Sequence, residues 1–187
     1  MNKRQIQREG TLGLIYETVN TLVAEKGFEQ MRIKDICSRA GISTGAFYHH
    51  FSSKQDILFE RYRVTCDFVR DLYEEGKKMP FSESACFFIR EMTEYTRTRV
   101  PDILRNYCYA YDTLHEDWAR RYPGIETQDV LHLLLDGCVP DGEAIAEMGD
   151  IYLLGITQKQ CASNGKYLEE YRPEDYFCEL IRSRLPG

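Results

Sequence analysis

The chain has 187 residues and a formal charge of −6, with 43% hydrophobic and 29% charged residues and only 6 Pro and 13 Gly. This composition excludes a disordered or collagen-like chain and suits one ordinary domain, or a small module on a larger one, whose core needs no cofactor for stability. Residues 1–60 hold 8 Lys+Arg against 7 Asp+Glu and the remainder 16 against 23, an asymmetry too mild to assign a nucleic-acid partner by charge alone.

The opening residues MNKRQIQREG carry no apolar signal segment, and no window approaches the roughly eighteen uninterrupted apolar residues of a membrane span. A cytoplasmic protein without a membrane partner is therefore expected. The seven cysteines are scattered, odd in number and without a CxxC pair, which argues against a disulfide framework or a thiolate zinc site. Most are expected to be buried thiols.

From Thr11 to Lys26 the residues Leu12, Ile15, Tyr16, Val19, Leu22 and Val23 recur at three- and four-residue steps, and Gly27 follows. That pattern predicts an amphipathic helix ended by a left-handed residue. Ile33, Ile36, Cys37 and Ala40 repeat the spacing before Gly41, and Ser43 then opens a short helix with Ala46, Phe47 and Phe51 on its buried side. Ser53 with Asp56 reads as a capping box, starting a run of some twenty residues through Ile57, Leu58, Tyr62, Phe68, Val69 and Leu72 toward Gly76. Beyond it Pro101 and the Tyr-Pro-Gly at 122–124 punctuate further helical runs, and no alternating segment argues for a strand. The predicted fold is all-α.

A short helix, a tight glycine-bearing turn and a second short helix make a helix-turn-helix, whose second helix enters the DNA major groove. With Ala40, Ile42, Phe47 and Phe51 underneath, Thr44, Gly45, Tyr48 and His49 are left facing outward. The hydroxyl, the phenol and the free N–H groups of the helix start can donate to phosphates, the glycine permits close approach to base edges, and Lys54 can add a point charge.

Residues 27–58, GFEQMRIKDICSRAGISTGAFYHHFSSKQDIL, resemble the DNA-binding motif of the TetR family of bacterial transcriptional regulators. The likeness lies in the Gly-aromatic after the first helix, the Asp-Ile and Ala-Gly-Ile-Ser of the helix-turn-helix, the Phe-Tyr-x-His-Phe of the recognition helix and the Ser-Lys-x-x-Ile-Leu that follows. It covers residues 10 to about 60; the remainder agrees in length and helical character. The resemblance implies that Lys34 can reach a base or phosphate, that Thr44, Gly45 and Ala46 meet the groove, and that Tyr48, His49, His50 and Lys54 hold the backbone. Where the family usually has Thr near the start of its second helix this chain has Met31 and Arg32, so a hydroxyl cap is missing and Arg32 can reach a phosphate instead. Ala46 replaces a frequent Thr or Ser and removes one possible hydrogen bond.

Competing chemistries lack their residues. Adjacent His49 and His50 project about 100° apart on a helix and cannot share a metal. The HEDWA at 115–119 lacks the second histidine of a zinc protease, and there is no phosphate loop, dinucleotide fingerprint or Gly-x-Ser-x-Gly, so nothing supports an enzyme or a cofactor.

The acidic remainder is rich in aromatic residues, read either as core with a solvated face or, as the resemblance implies, as a small-molecule cavity. Its candidate lining is Phe68, Phe88, Tyr95, Tyr107, Tyr111, His115 and Trp118. Ile145, Met148, Tyr152, Gly155 and Ile156 form one later stripe, and Tyr176, Phe177, Leu180 and Ile181 another; by analogy with the family these pair with their symmetry mates, the alternative being an intramolecular core. The expected protein is a homodimeric, repressor-like regulator in which residues 1–52 bind operator DNA and residues 53–187 bind an unidentified small-molecule effector and dimerise. The alternatives are a thiol-based redox sensor using Cys108 or Cys161, and a helical protein-interaction module.

Overall fold

A computed structural model describes residues 3–99, 117–135, 141–163 and 165–184, and among the described residues every regular element is a helix. The first, α1 (Lys3–Gln30), buries Ile15, Val19, Leu22 and Val23 on one face, as their spacing predicts. It begins earlier than Thr11, and Gly27 interrupts it at φ 79°, ψ 158°. That is a backbone region open to glycine and strained for other residues. The regular helix therefore ends at Gly27, as its spacing predicts, and only Phe28–Gln30 continue in a short separate turn beyond the break.

Helix α2 (Ile33–Ala40) ends at Gly41, held left-handed at φ 65°, ψ 29°, and the Ile42 N–H donates back to the Cys37 carbonyl at 3.0 Å. This is the glycine-capped helix end that lets the chain reverse within a few residues. Helix α3 (Thr44–His50) and helix α4 (Gln55–Gly76) follow. The start of α4 is a reciprocal capping box: the Asp56 N–H donates to Ser53 Oγ at 3.2 Å, while the Ser52 and Ser53 N–H groups donate to Asp56 Oδ2 at 2.9 and 3.1 Å.

The later helices are α5 (Phe81–Arg99), α6 (Thr127–Leu135), α7 (Gly142–Ala162), α8 (Tyr167–Glu170) and α9 (Pro173–Arg184). The chain divides into two compact units, one running through Tyr62 and the other starting at Arg63. In the second unit α5 is central and packs against α6, α7 and α9. Its Phe88 and Ile89 are fully buried, as are Val130 and Leu131 of α6.

Polar groups inside this unit have partners that tie elements together. Thr93 donates to the Ile89 carbonyl at 2.7 Å and shares a hydrogen bond with Tyr152 Oη at 3.2 Å, joining α5 to α7. Gln160 donates to the Gly165 carbonyl at 2.8 Å and accepts from the Leu168 N–H at 2.9 Å, fixing α8 on the end of α7. Arg97 Nε donates to the Leu168 carbonyl at 3.0 Å while its guanidinium pairs with Glu174 at 2.6 Å and with Glu94. So largely covered a cation is tolerable because each of its three nitrogens meets an acceptor. No described helix is long and apolar enough to cross a membrane.

Candidate nucleic-acid interface

The interface is built on the underside of α2 and α3. Ile36 and Cys37 of α2 are buried, Phe47 is fully buried, and Phe51 is 5% exposed with its ring 5.7 Å from Phe47 and 6.2 Å from Tyr16. Phe47 and Phe51, one helical turn apart, therefore anchor α3 to α1. Ser43 caps α3 by accepting the Ala46 N–H at 3.0 Å, which places the helix start where the serine predicts it.

With that face buried, Thr44, Gly45, Tyr48 and His49 are exposed, Tyr48 by 53%, and Ala46 is half-buried. A Cβ added at Gly45 would meet only Ser43 Oγ at 3.8 Å, so internal packing does not require this glycine. Lys34 and Arg32 are exposed on and beside the start of α2. The missing hydroxyl cap of α2 has a substitute: Asp35 reaches back to accept the Arg32 N–H at 3.0 Å and pairs with Lys26 at 2.5 Å. The hydrogen bond from Lys26 and that from the Arg32 N–H hold the Asp35 carboxyl below the usual carboxylate range. Met31, the other departure from the family pattern, is 1% exposed and serves the core.

Two residues predicted to hold the DNA backbone have internal roles. Lys54 Nζ donates to the carbonyls of Phe28, Glu29 and Met31 at 2.9, 3.0 and 3.3 Å and lies 4.8 Å from the Phe28 ring centroid. All three ammonium protons thus have acceptors in the turn that ends α1, and the side chain ties that turn to the start of α4. Nothing in the local sequence announces this, because the partners lie 23 to 26 residues away. His50 is half-buried with Nδ1 enclosed and unpartnered, and burial, then the neighbouring His49 and Arg8, push its pKa down. A neutral, partly enclosed imidazole is a poorer phosphate ligand than the exposed His49 beside it. Among the described residues no cluster of His, Cys, Asp and Glu could hold a metal.

The aromatic lining expected of an effector site divides. Phe88 is fully buried in the core and Trp118 is 2% exposed, whereas Phe68 and Tyr95 stack at 4.7 Å and Tyr95 Oη bonds Thr65 at 3.0 Å. Tyr107, Tyr111 and His115 lie outside the described residues, as do Cys108 and the side chain of Cys161.

The two late stripes divide as well. Ile145, Ile156 and Ile181 face the chain's own core, and Tyr152 stacks on Phe177 at 4.8 Å between α7 and α9. Met148, Tyr176 and Leu180 are exposed by 45%, 78% and 38%, and a Cβ at Gly155 would meet nothing within 4 Å. The outward face of α7 also carries Ile151 and Leu154, more than half exposed, which the sequence reading missed. The signal was present: 148, 151 and 155 share one face, but the inward residues of a helix apolar on both sides obscured it.

Residues 15–60, which span α1 from its first core residue to the second turn of α4, match the family described as bacterial regulatory proteins, tetR family. Over 185 residues the chain is 25% identical to the HTH-type transcriptional regulator YwcC of Bacillus subtilis, an alignment covering 84% of this chain and 79% of that protein. It is 33% identical over 63 residues to the HTH-type transcriptional repressor KstR2 of Mycobacterium tuberculosis, covering 34% of this chain and 32% of that relative. The fold matches that of the Bacillus subtilis transcriptional regulator FadR, crystallised with stearoyl-CoA, with a TM-score of 0.61 and 16% identity over 92% of this chain and 98% of that one. The capped helix-turn-helix near the N-terminal end of this all-helical chain is thus the region, residues 15–60, in which it is similar to the bacterial regulatory proteins of the tetR family.

Proposed function

We propose that this chain is a homodimeric repressor that binds a pseudo-palindromic operator and leaves it when a small molecule binds its second unit. The observation carrying the DNA half is the division of α3: Phe47 and Phe51 bury one face while Thr44, Gly45, Tyr48 and His49 present the other. One short recognition helix covers too few base pairs to specify a site alone, so two copies are needed. The repressor reading takes support from the name of the KstR2 relative, and the effector reading from FadR, a protein of this fold that accepts stearoyl-CoA. Phe68, Phe88, Tyr95 and Trp118 are the residues of that unit proposed to meet the effector.

The test is binding of the full chain to the intergenic DNA upstream of its own gene, against unrelated DNA, across a salt series. Tyr48→Ala is expected to weaken both DNAs alike, because a phosphate contact positions without specifying. Lys34→Ala is expected to relax the preference between them at a cost of about 1–3 kcal/mol on the preferred site. Equal affinity of the unaltered protein for both DNAs, at every salt concentration, would overturn the reading.

A further inference from the structure

We propose that Cys86 of α5 and Cys178 of α9 form an oxidisable dithiol, closing to an intramolecular disulfide when the protein meets a low-molecular-weight disulfide such as oxidised glutathione. The sequence gives no hint of a pair, since the two lie 92 residues apart, but the fold brings them together. Cys86 Sγ reaches the Cys178 carbonyl at 3.6 Å, and Cys178 Sγ reaches the Cys86 carbonyl at 3.7 Å. Each thiol therefore lies against the other residue's main chain, where α5 and α9 pack together. Close helix approach at small residues is what a bridge between two helices needs, because a disulfide spans only about 4.4–6.8 Å between Cα atoms.

The surroundings also prepare one sulfur to react. A hydrogen bond from the Cys178 thiol, with the guanidinium groups of Arg182 and Arg90 nearby, pushes the Cys86 thiol below its ordinary pKa. The Cys178 thiol, which gives that hydrogen bond, is pushed up and stays protonated. The Cys86 thiolate attacks one sulfur of oxidised glutathione, forming a mixed disulfide and releasing one glutathione thiolate. Cys178 then gives up its proton and attacks the Cys86 sulfur, forming the internal disulfide and expelling the second glutathione as thiolate. Two protein thiols are oxidised, one glutathione disulfide is reduced to two thiols, and no other reactant is needed.

Both cysteines are at most 2% exposed, so the reaction waits on local opening. Helix α9 is the element that can supply it, being 12 residues long with Tyr176 and Leu180 facing outward. Once formed, the bridge ties α9 to α5 and suppresses the opening that admitted the reagent. This proposal does not depend on the DNA or effector reading.

The test uses the full reduced chain, its Cys86→Ser and Cys178→Ser variants, and oxidised glutathione, followed by digestion without reductant and mass spectrometry. In the unaltered protein the peptides carrying Cys86 and Cys178 are expected to be joined, with the loss of two hydrogens. Cys178→Ser should hold glutathione on Cys86, whereas Cys86→Ser should leave Cys178 unmodified. Amide exchange in α9 should slow at least tenfold in the oxidised protein, a measurement made on the unaltered chain and so independent of whether either variant folds. No joined peptide, or one joining Cys108 or Cys161 instead, overturns the assignment; so does a joined pair whose formation leaves α9 exchange unchanged.

Discussion

Lys54 shows how a side chain chosen for one task can be held to another. Its three main-chain acceptors close the turn after the Gly27 kink, so removing it leaves the carbonyls of Phe28, Glu29 and Met31 without their cation. Lys54→Ala is expected to lower unfolding stability by about 1–3 kcal/mol, measured by urea titration, because three partly covered carbonyls lose charge-assisted bonds. If the amine stays on these carbonyls in the complex, the salt slope of DNA binding will stay unchanged; a slope flatter by about one unit would show that it moves to a phosphate. Asp150 makes a second case at this scale. Burial pushes its pKa up to about 6, against the opposing charge and hydrogen bond of His132, and its Oδ1 is enclosed without a partner. His132 sits between Glu143 and Asp150 at 3.2 Å from each; burial works against its charge, but the Glu143 hydrogen bond and the two carboxylates raise its pKa. Both groups bind protons more tightly folded than unfolded, so their contribution to stability is present at low pH. It is lost as pH rises from the ordinary 3.8 of aspartate through about 6, and again above the ordinary 6.5 of histidine. Asp150→Asn is therefore expected to gain stability relative to the unaltered protein between pH 5 and 8 and to flatten that part of the profile, measured by thermal unfolding at each pH.

At the scale of elements, helix packing decides what local patterns leave open. The glycine end of α2 and the N-terminal caps of α3 and α4 were legible because their signals act within four residues, and the structure reproduces the Ser43 and Ser53–Asp56 caps. The Asp35 cap of α2 was missed because the expected hydroxyl is absent and a carboxylate three residues into the helix does the work. In α7, Gly149 and Gly155 look alike in sequence and differ in surroundings. A Cβ at Gly149 would stand 2.1 Å from Leu131 Cδ1, and Leu131 is fully buried in α6, whereas at Gly155 nothing lies within 4 Å. Gly149→Ala is expected to destabilise the second unit by about 1–3 kcal/mol through overpacking. That outweighs the gain in helix propensity of about 1 kcal/mol, which Gly155→Ala should show alone in the monomer. Paired urea titrations of the two variants, at concentrations where the chain is monomeric, check the contrast.

For the whole molecule the open question is what covers Met148, Ile151 and Leu154 of α7 and Tyr176 and Leu180 of α9. We expect a second copy to cover them, since the proposed reading of two half-sites needs a symmetric partner. Ile151→Glu with Leu154→Glu should then convert the dimer to a monomer in sedimentation, keep the helical circular dichroism, and abolish binding to the two-half-site operator. A dimer that survives the double substitution would place the interface elsewhere.

The sequence by itself determined the helices, the turn at Gly41 and the outward face of α3, because periodicity, capping and glycine conformation are set by neighbours within a few residues. It could not decide which apolar stripe was core and which was free: Ile145 and Ile151 carry the same side chain, and only the placement of α5 and α6 makes one 8% and the other 62% exposed. The Lys54 clamp, the Asp150–His132 pair and the Cys86–Cys178 contact were likewise decided by tertiary structure, since each joins residues that are distant along the chain. Their chemistry arises from distance and burial, which no local pattern of residues records.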